Sequence, residues 1–297
     1  MLLLAALALV QAQPATAASP APVAPAEAPL LHDTRGRPVM TVQINGKGPF
    51  PMVVDTAAQT SLMSRSLAEE LALKPLNGGI AVNGATGSGL ARLYPVDRMT
   101  NPLIDTRHVA MVELTHGGVT DARGIIGMEF FTDRKLRIDR TANRIAAEPS
   151  APAGPGFVTV AGHRTGQGFV EIGLTLDGVR VPAVIDTGAS VTVANAAALR
   201  LLGWAENDPR LTDGGEIRGA SATGQQIRIA RIGKLSIGKI GLLNVPIMIS
   251  TDPDPAPSII LGNDLLNLFP GYAIDFPRGE LQISLPQKAT DSAAPKR

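Results

Sequence analysis

Apolar and polar positions alternate along much of the chain, and the alternation comes in two rounds. Met40, Val42 and Ile44 alternate with polar neighbours and run into Asn45-Gly46, a hairpin-turn signal. Val170, Ile172, Leu174 and Leu176 do the same and run into Asp177-Gly178. Each hairpin returns through an apolar strand, FPMVV or VPAVI, that ends on an Asp-Thr pair. A helix is predicted next. Ser66-Leu67-Ala68-Glu69 reads as a capping box opening the first, and Asn195 caps a second that ends at Gly203. Gly-rich polar hairpin tips follow, GATGSG (84–89) and GASATG (219–224). Past these lie GIIG (124–127) and IILG (259–262), each opening a short helix, MEFF or NDLL. Leu136-Arg137-Ile138-Asp139 and Tyr272-Ala273-Ile274-Asp275 are matching strands that close each round.

The spacing of these features is steady. Asp55 recurs as Asp186, 131 positions on, and Gly127 recurs as Gly262, 135 on. The difference falls in the loop around Trp204–Arg210. Features that recur in one order at a near-constant offset indicate an internal duplication. The expected organisation is a lobe at 37–148, a linker at 149–156 within EPSAPAGPG, and a second lobe at 157–286. Residues 18–36, which include SPAPVAPAEAP, read as a disordered Pro/Ala tether, and 287–297 as a loose tail. Residues 1–17 read as an export signal, with an apolar run Leu2–Val10 and an A-x-A site at Ala15-Thr16-Ala17. The expectation is an exported protein, periplasmic or secreted after cleavage near Ala17.

Composition narrows the partners. The 31 Gly and 24 Pro residues suit many short strands and turns. A net charge of +1 with both signs interspersed gives no basic patch for a nucleic acid, and no later run spans a membrane. With 0 Cys, disulfides, thiolate metal sites and thiol nucleophiles are excluded. His32, His108, His116 and His163 show no metal-ligand spacing. DRKLRIDR (133–140), with its alternating charges, reads as a solvated strand edge, and TDPDPAPS (251–258) as a stiff surface loop.

The Asp-Thr pairs carry the chemistry. A carboxylate at the end of a buried strand needs compensation. A duplicated fold with a pseudo-two-fold axis brings Asp55 and Asp186 to that axis. Two carboxylates meeting there cannot both ionise readily, so they share a proton. One then acts as general base toward a water while the other polarises a carbonyl, a pair suited to amide hydrolysis without metal or covalent intermediate.

On these residues the sequence resembles the retropepsin-like aspartic proteases, fused in tandem in the manner of pepsin, over residues 38–148 and 157–285. Val53-Val54-Asp55-Thr56-Ala57-Ala58 and Val184-Ile185-Asp186-Thr187-Gly188-Ala189 stand at the two catalytic motifs, and Ile125-Ile126-Gly127 and Ile260-Leu261-Gly262 at the supporting ψ-loop segments. The resemblance implies an all-β fold with minor helices, built as two homologous barrel lobes with the active site between them. It implies an aspartic endopeptidase with catalytic Asp55 and Asp186 and no cofactor or metal. Thr56 and Thr187 would cross-bond the opposing loops, and the backbone N–H groups of Ala57 and Gly188 would hold the carboxylates. Gly84, Ala85, Thr86, Gly219, Ala220 and Ser221 fall where substrate-binding flaps lie, Gly127 and Gly262 are structural, and an extended peptide or protein is the implied substrate. Ala57 departs from the motif Gly. If its φ is positive, the methyl adds strain on the order of 1 kcal/mol; if negative, it needs only space. Two other readings stay open: a peptide-binding protein with impaired hydrolysis, and a homodimer whose aspartates pair between chains rather than within a monomer.

Overall fold

The computed structural model describes residues 26–84, 87–114, 120–205, 207–217, 225–250 and 256–286. The export signal, residues 18–25 of the tether and the tail at 287–297 lie outside the described residues. The fold is all-β with minor helices. Strands Pro38–Ile44, Lys47–Val54, Gly124–Ile126, Leu62–Ser64, Ile104–Leu114 and Leu93–Asn101 are hydrogen-bonded in that order. The last pairs back onto the first through Gln43↔Thr100 and Ile44↔Met99, which closes a six-stranded barrel. In the second half Val170–Leu176, Val179–Ile185, Ile259–Leu261, Val193–Asn195, Ile240–Ser250 and Gln225–Ile237 follow the same order. Leu174↔Ile237 closes that barrel. Closure removes the unpaired edges that an open sheet of this size would expose.

The alternation read from the sequence sets the inward faces. Met40, Val42, Ile44, Met52 and Val54 fill the first barrel, and Ile172, Leu174, Val181, Ala183 and Ile185 the second. Aromatic residues are few, so methionine and branched aliphatics do the packing; each such side chain contributes about 1.5–3 kcal/mol when fully buried. Both hairpin turns form as expected, with Asn45-Gly46 at φ 51° and 75° and Asp177-Gly178 at 47° and 92°. Asn195 caps the helix Ala196–Leu201, its side chain accepting from the Ala198 N–H. In the first half the cap is Ser64 rather than Ser66. The Ser64 backbone is extended and its hydroxyl accepts from the Leu67 N–H, so the helix spans Arg65–Glu70.

Six further strands, continuous with the second barrel because Phe157–Arg164 pairs with Val170–Leu176, join the lobes. Their order is Ala26–Pro29, Arg144–Pro149, Arg134–Asp139, Gly271–Asp275, Glu280–Ser284 and Phe157–Arg164, three strands from each half. The central pair is antiparallel with Arg137 opposite Ala273, and these two are also equivalent positions of the duplication. The pseudo-two-fold axis therefore passes between them. Two expectations are corrected here. Residues 26–36 are not a loose tether, because the backbone of Ala26–Pro29 completes the sheet edge against Arg144–Ala147. Residues 134–139 are not a solvated edge but lie at the sheet's centre. Leu136 and Ile138 are buried, and Arg137 is neutralised by Glu148, Asp139 and Glu27 at 2.6, 3.1 and 3.0 Å. Among the described residues no helix is long and apolar enough to cross a membrane.

Candidate active site

Each Asp-Thr pair leaves its strand at a point where three strands meet. Gly124–Ile126 runs parallel to Lys47–Val54 and antiparallel to Leu62–Ser64. The Asp55 N–H donates to the Ile126 carbonyl at 2.9 Å, and the Asp186 N–H to that of Leu261 at 3.0 Å. Both aspartates are thereby fixed by their own backbones. The glycines that follow the supporting strands are fixed as well. The Gly127 N–H donates to the Ser61 hydroxyl at 3.0 Å and that of Gly262 to Thr192 at 3.1 Å. Those hydroxyls donate onward to Glu129 at 2.6 Å and Asp264 at 2.7 Å. A Cβ at 127 would stand 2.8 Å from the Ala58 carbonyl oxygen, and one at 262 would stand 2.5 Å from the Val191 carbonyl. Close backbone approach, rather than a left-handed conformation, demands glycine at both sites.

The two loops are tied across the axis by four hydrogen bonds. The Thr56 hydroxyl donates to the Ile185 carbonyl at 2.8 Å and accepts from the Thr187 N–H at 3.1 Å. The Thr187 hydroxyl donates to the Val54 carbonyl at 2.6 Å and accepts from the Thr56 N–H at 3.1 Å. Both threonines are buried, so each bond replaces one that water cannot make.

Asp55 and Asp186 are brought together within this frame: Gly188, whose N–H donates to Asp186, stands so close to Asp55 that a Cβ on it would overlap the Asp55 carboxylate. The Ala57 N–H donates to Asp55 Oδ1 at 2.8 Å, while Gly188 and Ala189 donate to Asp186 Oδ1 at 2.7 and 2.9 Å. Burial raises the Asp55 carboxyl above the ordinary 3.8, opposed by the Ala57 N–H, the neighbouring Asp186 carboxyl and the charge of Arg37. Asp186 is pushed well above 3.8, by burial first and then by the charge of Asp55. Two neighbouring carboxyls raised in this way favour a shared proton over double ionisation. Such a pair can take a proton from a water and give one to a carbonyl. Glu129 is also raised, chiefly by burial, with the Asp55 charge adding to the effect.

The structure answers the question posed by Ala57. The described non-glycine residues with positive φ are Asn45, Ala72, His108, Asn143, Asp177 and Asn244; Ala57 is not among them. It carries no left-handed strain and keeps its donor. Gly188 is constrained differently, because a Cβ there would overlap the Asp55 carboxylate.

Of the residues expected in the flaps, Gly84 ends the strand Ile80–Gly84, which pairs with Gly87–Ala91. Ala85, Thr86, Gly219, Ala220 and Ser221 lie outside the described residues. Several contributors to the site escaped the sequence reading. Ser61 and Thr192 recur at the repeat offset, as do the acidic Glu129 and Asp264, so the duplication itself held the signal. Asn263 has no such echo; its amide donates to the carbonyls of Thr187 and Ala189, both at 2.7 Å. Arg37 has none either, and its Nη1 donates to the Gly188 carbonyl at 3.1 Å. Among the described residues no three His, Asp or Glu side chains gather as metal ligands.

A family model described as gag-polyprotein putative aspartyl protease matches the chain twice, over residues 40–133 and 172–268. Among solved structures, the crystal structure of a retropepsin-like aspartic protease from Rickettsia conorii is similar at 22% identity and a TM-score of 0.35. That match covers 44% of this chain and 91% of that one. No curated protein matches.

Proposed function

The chain belongs to the family of gag-polyprotein putative aspartyl proteases, and on that premise we propose that it hydrolyses peptide bonds with a water held between Asp55 and Asp186. The ionised carboxyl removes a proton from the water, whose oxygen attacks the scissile carbonyl. The protonated carboxyl gives its proton to the carbonyl oxygen, producing a neutral diol. The first carboxyl then passes its new proton to the amide nitrogen as the C–N bond breaks, while the other recovers a proton from the diol. Atoms and charge balance with no group beyond the two aspartates and water. The substrate is an extended peptide or protein lying between the lobes.

The observation that carries this reading is the pair itself, two neighbouring buried carboxyls, each held by a backbone N–H, on loops tied by four symmetric cross-bonds. Both motifs stand on one chain, and we propose an active monomer rather than aspartates paired between chains. The retained Ala57 N–H favours hydrolysis over peptide binding alone. The test is cleavage of a diverse peptide library by the parent, Asp55→Asn and Asp186→Asn. The parent is expected to cut, and each variant to lose roughly 10²–10⁴-fold in kcat. A parent that binds peptides but never cuts them overturns the proposal, as does a variant that cuts like the parent.

A further inference from the structure

Gly188 leaves the second motif loop a backbone freedom that Ala57 denies the first. In a planar trans peptide the carbonyl and the N–H point opposite ways. Whatever holds a carbonyl therefore also aims the N–H of the next residue. The N–H groups of Gly188 and Ala189 donate to Asp186 Oδ1 at 2.7 and 2.9 Å, and the carbonyls of those two peptide units belong to Thr187 and Gly188. The Asn263 amide donates to the Thr187 carbonyl at 2.7 Å, and Arg37 Nη1 to the Gly188 carbonyl at 3.1 Å. The same amide also reaches the Ala189 carbonyl at 2.7 Å. Three successive carbonyls are thus held by side chains from outside the loop. Asn263 is buried, at 1% exposure. With two carbonyl oxygens beside one end of its amide, only the nitrogen can stand there. The amide oxygen is left buried without a partner among the described residues, a cost that the two donated bonds offset.

The side chains at the equivalent places of the first loop offer no such bonds. Asn263 corresponds to Met128 and Arg37 to Gly168. One has no donor and the other has no side chain, and a Cβ on Gly168 would meet the Met128 methyl at 2.9 Å. The backbone bond is common to both halves, since the Met128 N–H donates to Ala58 and the Asn263 N–H to Ala189, each at 2.9 Å. The second half adds the side-chain brace alone.

We propose that Asn263 is a positioning residue for Asp186. By holding the Thr187 carbonyl it fixes the peptide unit whose N–H supports that carboxyl, and Arg37 fixes the next unit in the same way. The inference rests on the reading of Asp186 as one of two catalytic aspartates. A carboxyl that must meet a water and a scissile carbonyl in one geometry gains from donors that cannot turn away. Alanine cannot stiffen this loop, because a Cβ at 188 would overlap the Asp55 carboxylate. The restraint comes from Asn263 instead.

The test follows amide hydrogen exchange by ¹⁵N NMR in the parent and in Asn263→Met, which installs the residue of the first half, beside kcat and KM on a cleaved peptide. In the parent, the Asn263 side-chain protons are expected to exchange slowly; exchange as fast as in an exposed asparagine overturns the proposal without any variant. In Asn263→Met the Gly188 N–H is expected to exchange roughly 5–30-fold faster, the equivalent of one lost hydrogen bond. The Ala57 N–H, on the loop that Asn263 does not touch, is expected to stay within about twofold. A roughly 10-fold fall in kcat with KM within about twofold is expected alongside. Asn263→Asp, the same in shape but without a donor when ionised, is expected to repeat this pattern at neutral pH and serves if the Met variant does not fold. Equal acceleration at Ala57 and Gly188 marks general loosening and overturns the proposal, as does an unchanged kcat. If Gly188 alone responds but the parent never cuts a peptide, the brace stands and the protease reading falls. If the parent cuts and Gly188 does not respond, the reverse holds.

Discussion

The residue tolerated at position 188 is decided by the other half of the molecule. A methyl there meets the Asp55 carboxylate, whereas the methyl of Ala57 coexists with a 2.8 Å bond from its N–H to Asp55. Gly188→Ala is therefore expected to lower kcat/KM by roughly 10–100-fold through displacement of Asp55, on the scale of an overpacking cost of about 1–3 kcal/mol. Ala57→Gly is expected to stay within about threefold of the parent, since it removes no bond. Equal losses from the two changes would show that the positions are equivalent after all. The threonines are tested by stability instead. Thr56→Val leaves the Ile185 carbonyl and the Thr187 N–H unpaired in a buried place, at a cost of about 2–4 kcal/mol. Urea titration reads that cost, and Thr56→Ser, which keeps the hydroxyl, is expected to restore most of it. Both aspartates were legible in the sequence because each ends an apolar strand and recurs at the repeat offset. Arg37 was not, because its partners lie four residues back, at Asp33, and 151 residues on, at Gly188, and a long-range contact to a carbonyl leaves no local pattern.

At the scale of elements, alternation and turn chemistry were good guides to the barrels and poor ones to the sheet between them. The barrel strands alternate because one face meets a core and the other does not. Arg134–Asp139 also buries alternate residues, Leu136 and Ile138. Its charges, however, are neutralised by neighbours from other strands, which sequence alone does not reveal. Ala26–Pro29 shows the same limit, since Pro and Ala carry no strand signal and what recruits them is a free sheet edge. Ala28 and Leu30 are buried there. Deleting residues 1–32 is expected to cost about 2–3 kcal/mol from lost burial alone, read as a lower urea midpoint. A midpoint equal to that of the full chain would mean the edge strand is dispensable.

For the whole molecule, the ionisation of the pair links activity and stability to pH. Both carboxyls are raised above 3.8, Asp186 well above. The singly ionised form thus begins above the ordinary carboxylate range and persists to the higher value, so kcat/KM is expected to be bell-shaped with an optimum above strongly acidic pH. A profile flat from acid to neutral would count against a shared proton. A carboxyl raised on folding contributes stability that is present below its unfolded value and lost as pH rises through its folded one. Asp33, lowered by Arg37 against its burial, works the other way and loses its contribution as pH falls through its folded value. Asp186→Asn removes the raised group, so it is expected to raise Tm at neutral pH and to do so less in acid. Sedimentation of the active protein is expected to show one chain per particle, and activity confined to dimers would contradict the intrachain pairing. The pairing of Arg137 with its own equivalent, Ala273, has a consequence for descent. A lone half could have paired that strand with a second copy of itself, as two identical chains do. In such an ancestor any change beside one aspartate appears beside the other, and a methyl at both places would press on both carboxylates. Joining the genes end to end releases that restraint, so that Ala57 and Gly188 can be inherited separately.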